Sequence, residues 1–454
     1  MGDRARSPMP AGGDVTIAIE PTDAAPAEAV YPRRGYAWTV VGILIATAIL
    51  SYTDRQVLSL LVDPIRHDLK ISDTQISLLL GAAFAVVYGV AGIPLGFFAD
   101  RTSRRNLIFA GVVVWSLATI ACGLARGFNE IFASRLFVGL GEAVLSPAAI
   151  SLISDYFPPR RRGFAVGLFL SGIAMGSGMA ILIGGGVLRA VDLGVLAGTP
   201  LATEPPWRLV LLLIGLPGLV WSLLILAIRE PTRQIEAIAD TADVAATVPP
   251  GRFAGWAKAA PVYSVVATAS LVDNAVGAWA PSLLIREFAK DPGKIGIELG
   301  LLLTVGFGGG VLIGGLLADK AGGFGRKLAV CLTSAVLILP AALLMNSGRF
   351  VVVLASVPIY FALSGIVTAV GFSSILDTVP GRSRGLAMSI SFFLNVAIGA
   401  GFGPTAVALA SDHIFGHRAG LGPAISATVI TSYLFAAIVL AATLRFADRR
   451  MLPR

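Results

Sequence analysis

GFFADRTSRR at residues 96–105 follows directly on a long apolar run, and GLLADKAGGFGRK at 315–327 follows another, 219 positions later. A second pair keeps the same order: DYFPPRRRGFA at 155–165 is answered by DTVPGRSRGLA at 377–387, 222 positions on. Two motif pairs at nearly one offset mark the chain as a duplicated half. Each motif sits where an apolar run gives way to charge, which is where a membrane-crossing helix leaves the hydrocarbon.

Composition agrees. The 454 residues are 56% hydrophobic and only 14% charged, with mean hydropathy +0.81, whereas a soluble domain carries about 25% charged residues. The charges cluster between twelve apolar segments, near 36–62, 74–98, 106–125, 129–153, 163–188, 208–229, 259–285, 296–318, 327–346, 350–374, 385–411 and 421–446. About twenty apolar residues span a bilayer core of roughly 30 Å. The expected fold is therefore an all-α membrane protein: twelve transmembrane helices in two pseudo-symmetric six-helix bundles. The predicted division is a disordered tail over 1–34, a first bundle over 35–229, a polar linker over 230–257, a second bundle over 258–447 and a short tail over 448–454.

Lys and Arg set the orientation. With the N-terminus inside, 23 fall in inner segments and 10 in outer loops, so both termini are expected in the cytoplasm. The same distribution explains the net charge of +8 without nucleic acid. Short loops, no Asn-x-Ser/Thr sequon and heavy Ala and Arg usage point to a bacterial inner membrane. The N-terminal residues lack the apolar core of a signal peptide. Cys122 and Cys331 lie inside apolar runs and read as small buried hydrophobes. The three histidines make no ligand-spaced set, so neither metal nor cofactor is expected. The glycine runs at 172–186 and 306–315 lack the Lys-Ser/Thr of a phosphate loop and read as close helix packing.

Gly96, Asp100, Arg101, Arg104 and Arg105 match the pattern Gly-x-x-x-Asp-Arg-x-Gly-Arg-Arg/Lys, the loop between helices two and three of the major facilitator superfamily, and the chain resembles that family from about 36 to 447. Ser103 stands where the family prefers Gly. RLFVGLGEA (135–143) resembles a second family motif at Arg135, Gly139 and Gly141. SYTDRQ (51–56), GLGEA (139–143) and GSGMA (176–180) together resemble the Spinster-like branch, whose eukaryotic members move lysolipids and sphingosine-1-phosphate. The organic anion:cation symporters share the Asp-Arg and Gly-Glu-Ala elements and are the alternative. The resemblance implies a secondary transporter working by alternating access, coupled to protons and carrying a lysolipid-like amphipathic anion, or in the alternative a small organic anion. Its partners would be substrate, protons and the bilayer, with a monomer expected. A membrane enzyme is disfavoured because no His/Cys/Ser catalytic set clusters, and an ungated scramblase because charges sit inside the spans.

Those charges are Asp54 and Arg55 in the first segment and Arg135 and Glu142 in the fourth. A lone charge at the bilayer centre costs about 2.5–3.5 kcal/mol, so they must face a wet cavity or one another. Arg135 and Glu142 lie two turns apart on one helix face; Asp54 and Arg55, being adjacent, point about 100° apart, so one of the two is expected to face the cavity. They are the candidates for proton coupling or substrate binding, the alternative being fixed bridges that orient helices one and four. Asp273 and Asn274, in SLVDNAVGAW (270–279), are candidate cavity residues of the second half. Gly96, Asp100, Arg101, Arg104 and Asp155 are the candidate cytoplasmic gate, with Asp100 also placed to cap segment eleven. The resemblance implies that Arg104 and Asp155 are partners in a latch between the halves. In the second copy three glycines intervene between Asp319 and Arg326, so no symmetric latch is expected there.

Overall fold

In a computed structural model, residues 31–449 are described except 196, 200–202, 232–252, 380–383 and 417–419. The N-terminal tail, most of the linker and the last five residues thus lie outside the described residues. The spans run, in order, Arg34–Leu60; Asp73–Leu80 with Ala82–Arg101; Arg104–Leu124; Phe128–Glu142 with Leu145–Tyr156; Pro159–Asp192; Pro206–Leu226; Phe253–Phe288; Pro292–Ala321; Phe324–Leu344; Phe350–Thr378; a composite helix over 384–415; and Leu421–Arg449. Ten are long and apolar enough to cross a membrane by length and composition; the fifth and eleventh complete the expected twelve. Helix is the form that satisfies every backbone amide and carbonyl without water. With an even number of spans both termini lie at one end of the bundle, here the terminal end; the other is the far end.

Helices overrun the apolar segments. The seventh covers 36 residues, about 54 Å at 1.5 Å per residue, because hydropathy measures the hydrocarbon alone while backbone bonding continues beyond it. Three spans are interrupted. The second breaks at Gly81 (φ −119°, ψ −77°), where a Cβ would collide with the Ala400 carbonyl of the eleventh span. The fourth breaks just after Glu142, and the eleventh carries wide π turns at Asn395–Ala400 and Ala410–Phe415. Such turns gather at functional sites. A short helix, Val62–Leu69, was not expected: it tucks Val62 and Ile65 into the bundle and ends on Lys70 in the left-handed conformation (φ 52°). Ser72 and Gln75 then form a capping box that starts the second span.

Within the first half the first span packs on the fifth and the third on the fourth and sixth; in the second half the seventh packs on the tenth and eleventh and the ninth on the tenth and twelfth. The halves meet along two seams, second span on eleventh and fifth on eighth. The second is where the glycine run at 172–186 acts. A Cβ on Gly185 would sit 2.7 Å from the backbone of Gly296, and one on Gly300 would strike the backbone of Leu182. In the other run, a Cβ on Gly306 would lie 2.7 Å from the Pro358 carbonyl of the tenth span.

Polar contacts close the far end. Arg286 at the end of the seventh span donates to both carboxylate oxygens of Asp73 (2.9 and 2.8 Å) and its Nε pairs with Asp63. Thr74 donates to Asp412 at 2.7 Å. Valine at Gly185 should overpack the seam at a cost of about 1–3 kcal/mol and raise the open far-end population roughly five- to hundredfold. The readout is labelling of Gln56→Cys, in the cavity wall, by an impermeant maleimide applied at the far side; the native cysteines are buried. An unchanged labelling rate would show that this seam does not seal the cavity.

Candidate functional site

Midway along the bundle the seams enclose a cavity of about 110 Å³, bounded by Tyr52, Arg55 and Gln56 from the first half and by Asp273, Asn274, Leu303, Phe307, Phe361 and Asn395 from the second. The first half contributes a cation. Arg55 Nη2 lies 2.6 Å from Glu142 Oε2 and its Nε lies 3.2 Å from the same oxygen. The Arg55 side chain is 13% exposed and that of Glu142 fully enclosed, so the arginine meets the cavity and the glutamate backs it. The guanidinium also lies 4.0 Å from the Phe84 ring centroid, 4.7 Å from Tyr52 and 5.4 Å from Tyr88. Aromatic faces attract a desolvated cation, so these rings add to the hold that Glu142 has on Arg55.

Asp54 and Arg135 are differently placed. Asp54 is 1% exposed, behind Arg55, and neither carboxylate oxygen has a hydrogen-bond partner; Arg135, Glu142 and Thr119 are its neighbours. Arg135 does not bond Glu142, although they share a helix. Its Nε donates to the Leu79 carbonyl at 3.1 Å and its Nη1 to the Asp54 carbonyl at 3.4 Å, leaving Nη2 unpartnered. Leu79 lies in the turn before the break at Gly81, so Arg135 binds a backbone carbonyl the interruption makes available. Of the four intramembrane charges, Arg55 alone lines the cavity.

In the second half Asp273 accepts from Tyr360 (2.7 Å) and Ser364 (2.6 Å), and Tyr433 donates to Ser364 at 2.9 Å. Asn274 donates to the Ser270 carbonyl at 2.9 Å and Asn395 to the Ser270 hydroxyl. The repeat is visible in this chemistry. Asp273 is Asp54 displaced by 219 positions and Ser364 is Glu142 displaced by 222. Spans one and four are thus joined by a charge pair, and spans seven and ten by a carboxylate and hydroxyls.

At the terminal end the Gly96 and Asp100 side chains lie outside the described residues, and Arg101 is exposed. Arg104 is 2% exposed and pairs with Asp155, as expected, but both residues belong to the first half. In this conformation the pair is a knot within one bundle rather than a latch between two. Sequence reasoning missed its third member. Glu230 accepts from Arg104 Nε (2.8 Å), the Ser103 hydroxyl (2.9 Å) and the Arg105 amide (2.9 Å). It had been assigned to the linker; the signal that could have found it is an acid directly after the sixth span. The second half holds a corresponding internal pair, which is likewise not a latch between the halves. Lys327 contacts Asp377 at 2.5 Å and Ser373 at 2.9 Å. Asp377 is the repeat equivalent of Asp155, and Lys327 lies in the first turn of the ninth span, where Arg104 is the first residue of the third.

The sequence profile of the Major Facilitator Superfamily matches residues 44–404. An MFS-type efflux pump of Mycolicibacterium smegmatis is 29% identical over 393 residues, covering 84% of this chain and 86% of that protein. A hexuronate transporter of Bacillus subtilis is 27% identical over 372 residues, covering 78% and 83%. Protein spinster of Drosophila melanogaster is 28% identical over 351 residues, covering 71% and 54%. The crystal structure of a bacterial homologue of the human lysosomal transporter Spinster, inward-facing and occupied, shares the fold with TM-score 0.74 at 24% identity over 92% of this chain and 98% of that one.

The Glu230 cluster makes a pH prediction. Partial burial would raise its carboxyl, but the bonds from the Arg105 amide and from the Arg104 and Ser103 side chains outweigh it and hold the group below the usual glutamate value. A depressed folded-state pKa stabilises above the unfolded value, about 4.3, and the gain is lost as pH falls through the folded value. The Tm difference between wild type and Glu230→Gln should therefore be largest near neutral pH and shrink below about pH 4.3; a constant difference would assign the effect to packing.

Proposed function

The chain belongs to the Major Facilitator Superfamily, and from that premise we propose that this transporter moves an amphipathic organic anion of the lysolipid kind, coupled to protons, by alternating access. One observation carries the reading: Arg55 presents a guanidinium to a cavity whose facing wall includes Leu303, Phe307 and Phe361. A planar cation that binds phosphate or carboxylate in two places, opposite an apolar aromatic surface, suits a molecule with an anionic head and a hydrocarbon body. The spinster relative supports the same reading.

The coupling step follows from the pair behind the head. An anion arriving at Arg55 competes with Glu142 for the guanidinium, while the surrounding rings keep Arg55 in place. Glu142, enclosed and with Oε1 already unpartnered, is left as an isolated buried carboxylate, and such a charge is costly. A proton relieves it. Asp54, a buried neighbour of Glu142, is the second acceptor on the route. Substrate and proton thus enter together, and both leave when the halves rock. One proton moving with one monoanion carries no net charge, so the pH difference drives this step, at about 1.4 kcal/mol per tenfold difference in proton concentration.

A second reading rests on the cavity's size. About 110 Å³ suits a small anion better than a long acyl chain, and the hexuronate transporter relative fits it. Reconstituted protein should be offered labelled lysophospholipid and labelled hexuronate with and without an inward proton gradient. Gradient-accelerated lysolipid flux is expected, with Arg55→Ala losing at least about tenfold in kcat/KM, the scale of one lost charge-assisted contact. Glu142→Gln or Asp54→Asn should retain exchange but lose the acceleration. Hexuronate flux without lysolipid flux would replace the first reading with the second, and acceleration that survives both carboxyl variants would end the proton assignment.

A further inference from the structure

A second cavity, of about 320 Å³, lies at the terminal end of the first half and shares no lining residue with the central one. Arg33, Arg34 and Arg161 line it, with Trp38, Tyr156 and Phe157 forming an aromatic wall. Trp38 is set edge-on against Phe157 at 4.7 Å and against Phe164 at 5.9 Å, and Phe164 is 69% exposed on the outer surface beside it. Among the described residues no carboxylate lines the cavity. The nearby acids Asp155 and Glu230 are both held by Arg104, and among the described residues Arg33, Arg34 and Arg161 enter no ion pair. Arg162, in the same turn, keeps its Nε buried without a partner.

The bias of Arg toward one membrane face accounts for basic residues at this end. It does not account for their convergence with two helix N-termini. Arg33 is the N-cap of the first span and Arg34 its first residue, while Arg161 lies in the first turn of the fifth span after Pro158. A helix N-terminus carries about half a positive charge, so cations there are unfavourable. Two such termini and three guanidiniums around one cavity make a strongly positive concavity that an anion would neutralise, and phosphate is the anion that backbone N–H groups and arginine forks bind together. Trp and Tyr mark headgroup depth, and the exposed Phe164 gives an acyl chain a surface to lie on.

We propose that this pocket is a binding site for the phosphate headgroup of an anionic membrane lipid, separate from the transported substrate. Bound there, the lipid would tie the start of the first span to the junction of the fourth and fifth.

The test uses the full-length protein in detergent micelles, titrated with short-chain phosphatidylglycerol, phosphatidylcholine of equal chain length, or inorganic phosphate. Native mass spectrometry counts retained lipid and Tm reports stabilisation. Wild type should retain one phosphatidylglycerol and gain Tm, with phosphatidylcholine and inorganic phosphate having little effect. The combined Arg33→Gln, Arg34→Gln and Arg161→Gln protein should bind at least about tenfold more weakly, on the scale of about 1 kcal/mol per basic residue near an anionic lipid surface. Trp38→Leu, which leaves the charges intact, should weaken retention less. Undiminished retention in the triple variant would overturn the site, as would equal retention of phosphatidylcholine. An equal Tm gain from inorganic phosphate would overturn the lipid assignment in favour of a free anion. If the triple variant fails to fold, Arg161→Gln alone decides by the same retention measurement.

Discussion

A charge in the middle of an apolar bundle must be matched or wetted, and the architecture of the first half follows from how it matches Arg55. Glu142 takes the guanidinium from the fourth span, and rings from the first and second spans enclose it. The backbone is adjusted around this centre: the fourth span is interrupted directly after Glu142, and the second at Gly81, where Leu79 offers a carbonyl to Arg135. Interruptions in a membrane helix are tolerated where protein or cavity water re-satisfies the freed groups. Here they lie beside the charges that do so.

The second half solves the same geometric problem without a full charge pair. Its carboxylate at Asp273 is held by hydroxyls of the tenth span, and the position answering Arg55 is Asn274. An ion pair resists separation more strongly than a carboxylate bonded to hydroxyls. The duplicated fold therefore confines the ion pair to one side of the cavity and leaves the other side as a polar and aromatic wall. Symmetry of backbone with asymmetry of charge is what a carrier needs if one half senses substrate and proton while the other supplies shape.

Much of this was legible in the sequence because it rests on local pattern. The repeat offset revealed the two halves, and a charged residue inside an apolar run announces itself, so Asp54, Arg55, Glu142 and Asp273 stood out. What stayed hidden depended on contacts across the fold. Glu230 read as linker because nothing local ties it to Ser103 and Arg104, more than 120 positions earlier. The Lys327–Asp377 pair stayed hidden because the intervening glycines lengthen the loop; the loop absorbs the extra residues, and Lys327 lies in the first turn of the ninth span. Arg286 read as an outer-loop cation, since its partners Asp63 and Asp73 lie 223 and 213 positions away. The adjacent pair at 54 and 55 shows the limit of periodicity: it places the two side chains on different faces but cannot say which face is the cavity.

The distribution of these pairs explains how two six-helix bundles can move as bodies. The terminal-end knots are each internal to a half, Arg104 with Asp155 and Glu230 in the first and Lys327 with Asp377 in the second, so they stiffen the bundles without joining them. The far-end contacts of Arg286 and Thr74 cross between the halves and are only partly buried. The Asp73 side chain is 3% exposed and accepts two bonds from Arg286, itself 23% exposed, so opening the far end must separate a charge-assisted, largely desolvated bridge. The glycine seam between spans five and eight adds close van der Waals contact but no polar bond that must break. Pairs that stay made inside each half, with the described ion pairs between the halves gathered at the far end, favour rigid-body rocking over deformation of either bundle.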